Sequence, residues 1–202
     1  MGLWGDIIQA VGWAFLPLVA LPVMLLVTRR LDSLAVAVAD IVDALNHGIG
    51  SAVKWLMPAL VLSVVFTVFA LSIFGWASPK LDESAVYLHA TALMLGMGAA
   101  LLADEHVRVD LLYSRFNHRA KGLAEFAGFY VLLLPLMLAI LWESQSATAF
   151  SWRILEGSPD ADGIRGQFLL KTLIPVFAVL MIAQGIALAC RAALKLRNQH
   201  AA

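Results

Sequence analysis

Five apolar runs constrain this chain more than any other feature: Ile7–Val27, Trp55–Ala77, Val86–Ala103, Leu123–Trp142 and Leu169–Cys190. A helix needs about 20 residues to cross a hydrocarbon core roughly 30 Å thick, and each run is near that length. The first two runs hold no charge, and Trp55 and Trp76 bracket the second like interfacial anchors. Glu125 and Lys171 each lie near the start of a run, where a long side chain can reach the interface. Only 14% of the residues are charged and mean hydropathy is +0.85. Ordinary globular domains are about a quarter charged, so the apolar excess must face something other than water. The pattern predicts an all-α membrane protein with about five transmembrane helices.

The composition also excludes functions. Fourteen basic residues balance fourteen acidic ones, unlike the basic surplus of a nucleic-acid binder. The single cysteine, Cys190, rules out an intramolecular disulfide and any Cys-rich metal site; at the end of an apolar run it reads as a buried thiol. Neither Gly-x-Ser-x-Gly nor His-Glu-x-x-His occurs, no internal repeat is visible, and no span carries a charge at its middle. The parts of an intramembrane enzyme or of a translocation pathway are therefore missing, and no catalytic residue, cofactor or metal is expected. An electron carrier holding haem between His89 and a second histidine is the sharper competitor. His47, His106, His118 and His200 lie in loops, amphipathic segments or the tail, however, and a lone span histidine reads more simply as a packing residue. A free-standing membrane regulator is a further alternative.

The N-terminus, Met1-Gly2-Leu3-Trp4-Gly5-Asp6, is acidic, and Pro17 and Pro22 interrupt the run behind it. A retained, kinked helix fits this better than a secretory signal. Two further stretches are amphipathic. Leu31, Leu34, Val38, Ile41 and Leu45 repeat at helical spacing with Asp32, Asp40 and Asp43 mainly off the stripe. That suits a helix in the interface plane, although its acidic face fits contact with protein at least as well as lipid. Leu111–Lys121 sets apolar residues against Arg115, His118, Arg119 and Lys121, which suits a lipid surface. With five spans, one side collects ten of the fourteen basic residues; the other holds Lys80, Arg153, Arg165 and Lys171. The basic side should be cytoplasmic, placing the N-terminus outside and the C-terminus inside. Glu143–Phe168 is then the longest outer loop and one candidate partner surface.

Ala92, Gly96 and Ala100 form a small-residue stripe that suits internal packing and docking of a partner subunit equally. After it comes Asp104-Glu105-His106-Val107-Arg108-Val109-Asp110. If extended, this segment would turn His106, Arg108 and Asp110 one way and the valines the other. Arg108 could then hold a carboxylate or a lipid phosphate.

Glu83, Tyr87-Leu88-His89-Ala90, Leu95-Gly96, His106-Val107-Arg108-Val109-Asp110 and Tyr113-Ser114-Arg115 closely resemble the small membrane subunit of tripartite ATP-independent periplasmic (TRAP) transporters. Pro135, Trp152, Glu156-Gly157-Ser158-Pro159, Lys171, Leu173-Ile174-Pro175 and Gln184-Gly185 continue the resemblance, which covers about Lys54–Leu196. The chain looks most like the larger variant of that subunit, which has an extra N-terminal span. It departs in reading Asp160-Ala161-Asp162-Gly163-Ile164-Arg165 where a Gly-Gly-x-Pro turn is expected, and in Thr91 where smaller relatives carry tryptophan. The apolar runs, the amphipathic stripe and the resemblance together divide the chain into an N-terminal helix (1–30), an amphipathic interfacial helix (31–48), a four-helix core (49–197) and a tail (198–202). It implies a multi-pass, non-catalytic subunit of the bacterial inner membrane, bracing a large membrane subunit and helping to dock a periplasmic binding protein. The assembly would import an organic acid on a sodium gradient. Structural, partner or lipid contacts would fall to Glu83, His89, Ala92, Gly96, Ala100, His106, Arg108, Asp110, Arg115 and Lys171.

Overall fold

The structure, a computed structural model, describes residues 17–103 and 117–198. His106, Arg108, Asp110 and Arg115 lie outside them, as do the first part of Ile7–Val27 and most of Leu111–Lys121. The elements are α1 (Pro17–Val27), α2 (Asp32–Val53), α3 (Leu56–Phe74), α4 (Pro79–Leu102), α5 (His118–Gly128), a π-helical turn (Phe129–Leu133), α6 (Leu134–Ile154) and α7 (Gln167–Asn198). No strand occurs among the described residues. Among the described residues, four stretches are long and apolar enough to cross a membrane: Asp32–Phe74, Pro79–Leu102, Arg119–Ile154 and Gln167–Arg197. The described part of the first run is a shorter apolar helix.

Prolines punctuate these helices. Pro58 supplies no N–H to the Lys54 carbonyl, and the chain breaks into a turn at Lys54–Trp55 between α2 and α3. Pro22 likewise supplies no N–H to the Leu18 carbonyl of α1, and in the same turn the Tyr130 hydroxyl donates to the Val19 carbonyl at 2.6 Å. Pro175 withholds its N–H from the Lys171 carbonyl, to which the Thr148 hydroxyl turns at 3.5 Å. Gly75, at φ 62°, ends α3 with its N–H on the Leu71 carbonyl.

α7 is the central helix. Its most apolar window is 56% buried, against 6–11% in the other long spans, because α2, α4, α5 and α6 all pack on it. Ala178, Ile182, Ile186, Ala189, Cys190 and Ala193 form its buried face. Cys190 is thus the buried thiol expected from its position. α6 runs antiparallel to α7: Gly122 meets Leu196, the π-helical turn seats Phe129 and Leu133 over Gly185, and Trp152 stacks edge-on with Phe168. α3, by contrast, packs mainly on α4 and leaves most of its apolar side chains exposed.

Two expectations change. The loop placed at Glu143–Phe168 is much shorter, because α6 continues to Ile154. The small polar residues of its first half belong to helix contacts: Ser144 and Ser151 are buried, and Thr148 and Trp152 bond to α7. The amphipathic helix extends to Val53 rather than ending near residue 48, and its apolar stripe faces outward, with Leu34, Ile41 and Leu45 exposed. Its inward face is Ala35, Ala39, Asn46 and Val53. The ordered contacts Asp32–Arg197, Asp43–Arg191 and Asn46–Gln184 run α2 antiparallel to the last part of α7. This pairing sets its direction.

Candidate functional site

Polar chemistry gathers at two places, one toward each end of α7. At the C-terminal end, Arg197 joins three elements. Its guanidinium donates to the Leu25 carbonyl at 2.8 Å and the Thr28 carbonyl at 3.0 Å, and grips the Asp32 carboxylate in a two-pronged pair. The end of α1, the turn after it and the start of α2 are thereby tied to α7. The planar fork of arginine matches this geometry, and a cation at a helix C-terminus also complements its dipole.

Two turns further in, Arg191 pairs with Asp43 and lies 3.9 Å from Asp40. The Gln184 amide donates to Asp43 at 2.9 Å and accepts from Asn46 at 2.7 Å. Asn46 and Gln184 are wholly buried. This relay threads between α2, α7 and α4, where the Asn46 carbonyl rests against Gly98 with no hydrogen-bond donor. A Cβ at position 98 would sit 2.4 Å from that oxygen, so the backbone approach needs glycine. The acidic face of α2 therefore contacts protein, and that protein is the chain's own last helix.

At the loop end, Glu83 reaches from the second turn of α4 under residues 155–166. It accepts from the Ser158 hydroxyl and from the Ile164 N–H. Gly163 passes so close that a Cβ would lie 2.5 Å from the Glu83 carboxylate. Lys80 holds Asp162 at 2.8 Å, and Lys171 holds Glu156 at 2.6 Å. Leu155, with φ 47°, makes the left-handed turn that starts the loop. The segment that departs from Gly-Gly-x-Pro is anchored all the same, through Asp162 and the Ile164 amide.

Lys171 beside Glu156 lowers that carboxyl below its ordinary value of 4.5, and Lys80 does the same for Asp162. A lowered folded value means stability that is present above the unfolded value and lost as pH falls through the folded one. Protease resistance of the loop should therefore persist as pH falls past 4.5, then collapse below it. In Lys171→Met the collapse should move to higher pH. A loop whose cleavage by an acid-active protease is unaffected by pH and by Lys171→Met would contradict this.

The other expected positions divide. Ala92 is buried, Gly96 and Ala100 are half-buried, and a Cβ on Gly96 would touch Val53 of α2 at 3.6 Å. This part of the stripe serves internal packing. His89 is exposed on the α4 face that carries Asp82, Val86 and Leu93, not packed inside as a lone span histidine was expected to be. His47 neighbours Asn46, which meets α4 at Gly98; nine residues of helix, about 13 Å, separate that level from His89. The two imidazoles are not placed to share a haem iron. No group of three or more His, Cys, Asp or Glu among the described residues could hold a metal.

Sequence reasoning missed Asn46 and Gly98, and met Gln184 only as part of the family resemblance, with no contact assigned to it. A signal was present: Ala35, Ala39, Asn46, Gly50 and Val53 repeat on one face of α2, while Gln184 and Arg191 are two turns apart on α7.

Residues 60–195 match the family of tripartite ATP-independent periplasmic transporters, DctQ component, over more than half of the chain. The chain belongs to the DctQ family. It is a small membrane subunit of a TRAP transporter, an assembly that also has a large membrane subunit and a periplasmic binding protein. No curated protein and no solved structure matches it. The DctQ match takes in most of α3 and nearly all of α7 but leaves out α1 and α2. Gln184 and Arg191 lie inside it, whereas Asp43 and Asn46 lie outside. The relay is thus the seam along which the additional N-terminal helices join the DctQ core.

Proposed function

We propose that this subunit braces the large membrane subunit of its transporter and helps receive the periplasmic binding protein, without itself holding solute. The observation that carries the reading is where polarity is spent. The described polar contacts are concentrated in the relay, which reaches from the C-terminal part of α7 to Gln184 at its middle, and in the loop clamp at its other end, with the buried apolar residues Ala178, Met181 and Ile182 between them. Such a body resists deformation and offers no string of polar groups for a solute to follow.

The excess of basic residues at the Arg197 end supports a cytoplasmic C-terminus, with the loop at 155–166 in the periplasm of a bacterial inner-membrane protein. The clamped loop would then present a fixed surface to the binding protein. The driving ion is sodium and the cargo an organic acid, as the family resemblance implies. Proteoliposomes holding the large subunit with and without this chain, supplied with binding protein, an organic acid and a sodium gradient, test the reading. Uptake should require both membrane subunits, and this chain alone should carry nothing. Full uptake by the large subunit alone, or transport by this chain unaided, would overturn it.

A further inference from the structure

Glu143 is the one carboxylate on the exposed face of α6 that runs through Leu136, Phe150 and Ile154, which are 53–58% exposed. These residues share a face at spacings of seven, seven and four. Glu143 is itself exposed, and no described residue pairs with it.

Its depth follows from the antiparallel register. Thr148 lies level with Lys171, and Leu133 with Gly185, which sets Glu143 opposite Pro175 and Val176. It is therefore about 7 Å deeper than Lys171, a residue that already needs Glu156 as its partner. Helical side chains tilt toward the helix N-terminus, and α6 runs toward the loop, so Glu143 leans away from the nearer membrane surface. Snorkelling is poorly served, and an unpaired carboxylate at that depth is costly in lipid.

The residues around Glu143 are small. Ala139 and Ala147 lie one turn to either side and Ser146 beside them, all exposed, so a second helix can approach closely.

We infer that this face of α6 is the seat of a transmembrane helix of the large transporter subunit, and that the helix brings an arginine or lysine to Glu143. The inference rests on the proposed bracing role and specifies which face performs it. Charge complementarity selects this occupant over lipid, which offers no cation at that depth, and over a second copy, which would bring Glu143 to Glu143.

The test is co-expression of the full chain with the large subunit, followed by purification on a tag carried by this chain. Glu143→Leu should lower the co-purified large subunit by roughly tenfold or more, while the thermal stability of the solubilised single chain stays level or rises. Glu143→Gln, which keeps a hydrogen-bonding head, should fall between. A photoreactive residue at position 147 should crosslink to a spanning helix of the large subunit within one turn of a lysine or arginine. Wild-type recovery with Glu143→Leu, or a crosslink to lipid or to a second copy only, overturns the inference. If wild-type chain and large subunit co-purify while those results hold, the bracing role survives and the face is wrong. Failure of the wild-type pair to associate at all defeats both.

Discussion

Gly98→Ala should lower the thermal midpoint of the solubilised chain by roughly 3–10 °C, although helix propensity alone predicts the opposite. Alanine is favoured over glycine in a helix by about 1 kcal/mol. Against that gain stands a Cβ placed 2.4 Å from the Asn46 carbonyl oxygen, a contact relieved only if the Asn46 side chain shifts. Asn46 must move, and its hydrogen bond to Gln184 goes with it. Overpacking of about 1–3 kcal/mol and a similar cost for a buried amide left without its partner outweigh the propensity term. The effect should depend on Asn46: in an Asn46→Ala background, Gly98→Ala should be neutral or stabilising. An equal loss in both backgrounds, or a gain in the wild-type background, would show that the relay does not sit on Gly98.

Arg197→Met is the second large effect, a clear fall in the thermal midpoint of the solubilised chain, since a cation serving several acceptors is removed while those acceptors stay in place. The thioether fills part of the volume but cannot donate to the Leu25 and Thr28 carbonyls or pair with Asp32. Arg197→Lys should recover only part of the loss, because an ammonium lacks the planar fork. Hydrogen exchange should locate the damage, with amides of the turn between α1 and α2 exchanging faster and those of the α6–α7 contact unchanged. Uniform acceleration, or full rescue by lysine, would contradict the account.

Much of the architecture is legible in the amino-acid sequence, because apolar length is a strong signal and the runs at Trp55, Val86, Leu123 and Leu169 all reappear as helices. Boundaries are less legible for a specific physical reason. In lipid, small polar residues are the material of helix contacts as well as of loops, so Ser144, Thr148 and Ser151 mimic a loop while belonging to α6. In α2 the apolar stripe faces outward, and the small residues Ala35 and Ala39 with Asn46 face the core. Acidic residues off that stripe do foretell a protein contact, but their partners lie some 150 positions later in α7, beyond the reach of local pattern. The site splits similarly. Glu83 and Lys171 stand out in the sequence and hold the loop clamp. For Asn46, Gln184 and Gly98, periodicity can mark a shared face on α2 and on α7 but not which faces meet.

The π-helical turn at Phe129–Leu133 has a consequence for chain length. A wider turn accommodates one residue more than α-geometry would, just before Pro135. Helical-wheel projections drawn straight through it misassign everything downstream by about 100°. The turn is also a slack link: shortening the chain there by one residue would tighten it to ordinary α-helix and leave Gly122 on Leu196 and Trp152 on Phe168 in phase. Single-residue length variation between relatives can be absorbed at this point without re-facing either half of the rod.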